Sequence, residues 1–323
     1  MNMHPMAELK EQLRQILDVI PSGSEIYYLD YPVYNNGGDM LIMKGTEKFF
    51  KDYGIHILAR YNLYDFPDQL QAVPGSIFVL NGGGNFGDLY THHQELRERV
   101  VKQFPTHRIV IMPQTIYFQN EANYDKSAAI FNAHPDLHLY VRDKACYELA
   151  KRKFSGCRVY LSPDMAHQLW PIVPPKKGEK DLLYFIRTDI EAGNAQPQNV
   201  GGNQSDFRDW DTLFSRMESK VTHHLAKFCK LDKKLGGYLP TRLFWYMYTD
   251  YLLRKAVSLF GSYRIIHTSR LHGHILACLM DKPHVLIDNS YGKNSQYYRT
   301  WTHRNTKARL VQEAPDEPIE LLS

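Results

Sequence analysis

Cysteine is scarce and unorganised in this chain. The four cysteines among 323 residues (Cys146, Cys157, Cys229 and Cys278) form no CxxC pair and no metal-ligand spacing. They read as reduced thiols of a cytosolic protein rather than as a disulfide framework. Long apolar runs are missing too, and nothing approaches the roughly 18 consecutive residues that a membrane span needs. The first twenty residues hold no secretory core. Leu9, Leu13, Ile16, Leu17 and Ile20 recur there at helical spacing, which predicts an amphipathic helix. The expectation is a soluble protein with at most peripheral association at the inner face of a membrane.

Charge of one sign is also lacking. Lys and Arg number 39 against 35 Asp and Glu, for a net charge of +4, and the cations are dispersed. The densest run, Lys151-Arg152-Lys153, ends a predicted helix, where cations complement the dipole. Without a basic stripe, nucleic acid is not an expected partner. HExxH, Walker A and GxSxG are absent, and "GGGNFG" is not placed as a dinucleotide fingerprint. The adjacent pairs His92-His93 and His223-His224 would point about 100° apart on a helix and share no metal. The expectation is therefore chemistry with no metal and no cofactor.

What is present is a regular alternation. Strand-like segments at residues 25–32, 55–61, 76–81, 108–114, 137–143 and 157–164 are separated by amphipathic helical stretches. That pattern predicts an α/β fold with parallel, doubly wound sheets. The proline-rich "WPIVPPKKGEKD" (170–181) reads as a linker. It divides a Rossmann-like domain at 1–170 from a second at 180–310, with a tail at 311–323. The second opens on "LLYFIR", continues into an aperiodic loop over 188–206, and then into helices at 210–231 and 241–259. The strands "RIIHTS" and "HVLID" follow, with a helix starting at Leu271 between them and a last helix at 295–301.

Chemistry-bearing residues collect where strands end, the place where open α/β sheets bind ligands. Asn36-Gly-Gly-Asp39 and Asn85-Phe-Gly-Asp88 repeat an N-x-G-D pattern between strand and helix, the second directly after Gly82-Gly83-Gly84. Each alone is also a well-capped βα turn. Together they suggest a site whose carboxylates repel anions and suit sugar hydroxyls. "TSRLHGH" is the opposite case. Thr268, Ser269, Arg270 and His272 flank a predicted helix start with no acid before Asp281, which favours an anion, and Gly273 leaves it room. Arg187 occupies the equivalent position after its own strand. Ion pairs with Asp164 or Asp288 are the plain alternative. Lys293 reaches the same cleft or is solvated, while Gln114, Thr115 and Asp164 read more as structure than as site.

The segments "NNGGDMLI", "GGGNFGDLY", "PQTIYF", "VRDKACYELA", "SPDMAH", "LLYFIRTDIE" and "TSRLHGHILACLMDKPHVLIDNSYGKNSQYYRTW" resemble, in order, the polysaccharide pyruvyl transferase family of exopolysaccharide biosynthesis. The resemblance implies two Rossmann-like domains around a central cleft, a GT-B-like arrangement. It implies phosphoenolpyruvate as co-substrate and a sugar hydroxyl pair, free or lipid-linked, as acceptor, yielding a pyruvate ketal. Residues that hold phosphoenolpyruvate map onto Arg187, Arg270, Leu271 and His272, with Ser269, Gly273 and Lys293 nearby. Gly84, Asn85, Asp88, Asn36 and Gln114 fall on the acceptor side. His272 is the expected acid, and Asp39 or Asp88 the expected base. The rival readings are a GT-B glycosyltransferase using a nucleotide sugar and a non-catalytic saccharide-binding component of polysaccharide assembly.

Overall fold

A computed structural model describes residues 3–175, 178, 180–188, 207–237, 239–288 and 292–311. The loop expected at 188–206, apart from Thr188, and the tail beyond Val311 lie outside the described residues. In the first half the chain runs α1 (Pro5–Gln12), β1 (Glu25–Leu29), α2 (Gly37–Asp52), β2 (His56–Tyr61), β3 (Ile77–Leu80), β4 (Gly83–Gly87), α3 (Thr91–Gln103), β5 (Ile109–Tyr117), α4 (Glu121–Asn132), β6 (Leu137–Val141), α5 (Lys144–Lys153) and β7 (Arg158–Leu161). It continues with β8 (Lys180–Phe185), β9 (Phe207–Arg208), α6 (Trp210–Leu213), α7 (Arg216–Lys234), α8 (Thr241–Gly261), β10 (Tyr263–Thr268), α9 (Leu271–Leu279), β11 (His284–Ile287), α10 (Lys293–Tyr297) and β12 (Ala308–Val311).

Two parallel sheets result. The first has the order β2-β1-β3-β5-β6-β7, with β4 paired to β5; the second has the order β12-β11-β10-β8-β9. The strand sequences explain the parallel arrangement. β3 and β6 are buried along their whole length and β1 beyond its first residue, so they are apolar on both faces and need helices on both. The edge strands β2 and β7 are only half-buried. In each sheet the strand order reverses at a central parallel pair, β1/β3 in one and β8/β10 in the other. Crevices open at the carboxyl ends of such pairs.

Some expected elements are redrawn. The helix expected at 210–231 is two, because Phe214 takes an extended conformation and Ser215 starts α7 with a capping box completed by Glu218. α4 starts at Glu121, earlier than expected, because the Asn120 side chain caps it. The last helix starts at Lys293 and passes into a π-helical turn at Tyr298–Thr302.

α2 and α9 pack against each other between the sheets. One apolar cluster runs from Leu13 through Met40, Met43, Trp245, Ile275 and Leu276 to Tyr297, joining elements of both sheets. α9 ("LHGHILACL") is buried at every residue but His272, so no side of it is free for water. Close approach of α2 to the Met165–Leu169 turn requires a glycine. A Cβ on Gly45 would stand 2.1 Å from the Met165 carbonyl oxygen, a backbone atom with nowhere to move. Gly45→Ala gains about 1 kcal/mol of helix propensity but forces overpacking. The expected outcome is a net loss of roughly 1–3 kcal/mol, seen in urea unfolding as a lower midpoint with an unchanged slope.

Candidate functional site

A cleft of about 370 Å³ lies where the carboxyl ends of the two sheets face each other. From the first sheet, the β1–α2 loop contributes Tyr34, Asn35, Asn36 and Asp39. Asn36 caps α2, its Oδ1 accepting from the Gly38 N–H at 2.9 Å and the Asp39 N–H at 3.4 Å. Tyr34 donates its hydroxyl to Asp39 Oδ2 at 3.1 Å. Burial and the Asp39 carboxylate push that phenol well above its ordinary value, so it remains a donor. The two glycines between Asn36 and Asp39 make room for side chains of this same chain. A Cβ on Gly37 would lie 2.3 Å from the Trp210 ring, and one on Gly38 2.5 Å from His272 Nδ1.

The other sheet brings Arg187 after β8, Arg270 after β10, Leu271 and His272 on the first turn of α9, and Lys293 at the start of α10. Arg270 is held rigidly. Its Nε donates to Asp209 Oδ1 at 2.7 Å and its Nη2 to Oδ2 at 2.6 Å, with Asp209 fully buried. Asp209 is also the N-cap of α6 and accepts from Thr188. His272 Nε2 lies 3.3 Å from Asp164 Oδ2, which also accepts from Arg142 Nη1 at 2.6 Å. Arg142, at the end of β6, donates its Nε to Thr115 Oγ1 at 2.8 Å and lines the cleft beside Gly84. Burial alone would raise the Asp164 carboxyl. His272 and Arg142 outweigh it and hold the group well below the ordinary carboxylate range. Among the described residues, the lining thus carries four fixed cations, Arg142, Arg187, Arg270 and Lys293, against one carboxylate, Asp39.

The cleft also holds an arrangement with no motif behind it. His93 on α3 also lines the cleft, and its Nδ1 is 2.6 Å from Asp30 Oδ1. Asp30 is buried, with φ +62°, and its second oxygen accepts from Arg97 at 2.9 Å. Arg97 also donates to Asn85, which orients that side chain in the cleft wall. In the neutral ring, an Nδ1–H donated to the Asp30 carboxylate leaves the lone pair on Nε2, the atom that a general base uses.

The structure therefore brings together Asn36, Asp39, Gly84, Asn85, Arg187, Arg270, Leu271, His272 and Lys293. Four expected residues are placed elsewhere. Asp88 accepts from the Gln119 and Asn120 N–H groups at 2.7 and 2.9 Å and from the Asn123 amide; it tethers the start of α4 and is not in the lining. Gln114 is fully buried and donates to the Asn81 carbonyl at 2.7 Å. The Ser269 hydroxyl accepts from the Arg187 N–H at 2.8 Å and so joins the ends of two strands. Gly273 leaves room for packing rather than for a ligand, since a Cβ there would sit 2.4 Å from Thr268 Oγ1. Sequence reasoning missed Arg142, His93, Asp30 and Asp209. Only the position of Arg142 at a strand end could have signalled it.

The fold also assembles a Cys/His set that spacing did not reveal. Among the described residues, His274, Cys278 and His284 bring metal-capable atoms within 4.8 Å of one another. His274 Nδ1 is 2.7 Å from His284 Nε2, while Thr302 and the Lys282 carbonyl bond the other two ring nitrogens. As neutral rings they form a complete relay. Burial favours that state, pushing His284 down to about 4.

The sequence profile of polysaccharide pyruvyl transferases matches residues 36–291. A Bacillus subtilis protein named as a pyruvyl transferase, EpsO, is 45% identical over 96% of both chains. Pyruvyl transferase 1 of Schizosaccharomyces pombe is 27% identical over 92% of this chain and 75% of its own. The crystal structure of an uncharacterized Klebsiella pneumoniae protein superposes with a TM-score of 0.61 at 20% identity, covering 94% of this chain and 98% of that one. At that identity it supports the fold alone.

Two substitutions separate the carboxylates that build the cleft from those that do not. Asp164→Asn leaves Arg142 and His272 without their shared counter-charge and should cost roughly 3–5 kcal/mol, measured by chemical unfolding at neutral pH. The folded-state pKa of Asp164 is depressed, so its stabilisation is present above the unfolded value and is lost only as pH falls through the depressed one. The wild-type advantage should accordingly survive at pH 5. Asp88→Ala removes a helix tether, with an expected cost of about 0.5–2 kcal/mol. It should leave ligand binding in the cleft within a few-fold of wild type by calorimetry.

Proposed function

Because the chain belongs to the polysaccharide pyruvyl transferase family, we propose that it transfers the pyruvyl group of phosphoenolpyruvate to two hydroxyls of one sugar of a polysaccharide or its precursor, releasing phosphate. The observation that carries this reading is a single cleft lined by the cations Arg142, Arg187, Arg270 and Lys293 together with Asp39, Asn85 and His93. Phosphoenolpyruvate carries a carboxylate and a phosphate of roughly −1.5 to −2 charge if it behaves as other phosphomonoesters do. Guanidinium groups suit both, because their planar forks bind carboxylate and phosphate oxygens bidentately.

The steps balance without a further reactant. His272 gives a proton to the methylene carbon, which becomes the methyl group and leaves an oxocarbenium-like centre at C2. One sugar hydroxyl adds there and loses its proton to His93 or Asp39. The C2–O bond to phosphate breaks, the proton taken from the first hydroxyl passes to the departing phosphate, and the resulting hydrogen phosphate is held by Arg142, Arg187, Arg270 and Lys293. The second hydroxyl closes the ketal, and its proton replaces the one His272 supplied. The rings of Tyr64, Tyr90 and Trp210 in the cleft wall offer apolar surface to the sugar.

The test follows phosphate release and the ketal methyl resonance with phosphoenolpyruvate and sugar acceptors. Arg270→Ala should lower kcat/KM for phosphoenolpyruvate at least 100-fold. His272→Ala should lower kcat by roughly 10²–10⁴. His93→Ala should lower kcat with little change in phosphoenolpyruvate affinity. Thermal stabilisation by nucleoside diphosphates but not by phosphoenolpyruvate would point to a glycosyltransferase. Wild-type turnover in both Arg270→Ala and His272→Ala would sink the assignment of roles.

A further inference from the structure

We propose that the outer face of the α7–α8 hairpin docks on an anionic lipid bilayer. Of the fifteen exposed large hydrophobic side chains among the described residues, nine lie between Met217 and Tyr251, so exposure is concentrated in this one hairpin. On α7 and at its cap they are Met217, Val221, Phe228, Leu231 and Leu235; at about 100° per residue these fall within an arc of roughly 80°. On α8 they are Leu243, Phe244, Met247 and Tyr251. The helices run side by side in opposite directions. Thr241 Oγ1 reaches Asp232 at 3.2 Å at one end, and the Tyr251 hydroxyl reaches Glu218 at 2.8 Å at the other. Met217, Leu243 and Met247 are each more than half exposed, which a soluble helix pair does not need for its own packing.

Charge identifies the occupant. Residues 216–255 hold nine Lys and Arg against three Asp and Glu, leaving 30 against 32 in the rest of the chain. The net positive charge of the protein is therefore in this hairpin. Lys220, Lys227 and Lys234, seven residues apart and exposed, run alongside the α7 stripe. The three carboxylates are already engaged: Glu218 with Lys255 at 2.7 Å, Asp232 with the Leu239 N–H at 2.7 Å, and Asp250 with Lys44 at 2.7 Å. A second copy presenting the same face would bring lysines and no unpaired acid to answer them. An apolar stripe bordered by lysines suits an interface of acyl chains and anionic headgroups. The opposite side of α7 touches the cleft wall. Thr222 Oγ1 donates to Asn35 Oδ1 at 2.6 Å, and Lys230 lies over the Tyr64 ring. If the proposed function holds, a lipid-linked sugar acceptor in that bilayer would be within about one helix diameter of the cleft.

The docking itself rests on the face and not on the reaction, so its test uses no substrate. The full chain is floated with phosphatidylcholine vesicles, with and without phosphatidylglycerol. Binding is expected only with phosphatidylglycerol, and should weaken in 0.5 M salt through screening (Debye length roughly 4 Å). It should fall at least tenfold in Phe228→Asp/Met247→Asp and in Lys220→Glu/Lys227→Glu/Lys234→Glu. Melting temperatures of both variants should match wild type, because every altered side chain is exposed. The proposal is overturned if wild type floats with neither vesicle, or if the Phe228/Met247 variant floats as wild type does. It is equally overturned if that variant splits a dimer of a wild-type protein that ignores vesicles, which would make the face a contact between copies.

Discussion

An arginine and a histidine from different sheets share one buried carboxylate oxygen. Asp164 Oδ2 accepts from Arg142 at the end of β6 and lies against His272 on α9. Its other oxygen accepts from the Ala166 N–H and starts the turn against which Gly45 of α2 packs. One side chain therefore couples the first sheet, the second sheet's cleft helix and the helix between them. A charge this deeply buried is tolerable only when paired and fully hydrogen-bonded, and Asp164 meets both conditions. The cleft geometry follows from it: if Asp164 moved, Arg142 and His272 would each lose the group that aims them.

Arg270 and Asp209 repeat the device on the far wall, again with a carboxylate that serves a second structural purpose as a helix cap. Neither carboxylate lines the cleft. They stand behind the cations and hold them still while the cavity keeps an excess of positive charge. Groups oriented in advance stabilise an anionic ligand without reorganising when it arrives. Asp30 does the same for His93, and Arg97 locks Asp30 in turn.

The glycines acquire a specific meaning in this setting. Gly37, Gly38 and Gly273 are small because Trp210, His272 and Thr268 lie against them. The same economy of space makes α9 apolar nearly all round. The hairpin of α7 and α8 is different, with one side supporting the cleft wall and the other left apolar and basic.

Much of this was legible in the sequence. Apolar β-branched strands alternating with amphipathic helices are a local signal, and they dictate parallel sheets because both faces of each strand must be covered. That ligand residues collect at strand ends is a consequence of the same architecture, and it located Arg187, Arg270, His272, Asp39 and Asn85. The tertiary structure alone decided which charge answers which. Arg270 meets Asp209 across 61 residues, His93 meets Asp30 across 63, and His272 meets Asp164 across 108. Asp88 looked like the twin of Asp39, yet the N–H groups at the start of α4 claimed it. Such pairings depend on strand order and helix placement, which no local periodicity encodes. Chain neighbours set what each segment becomes, and spatial neighbours set what each charged side chain is free to do.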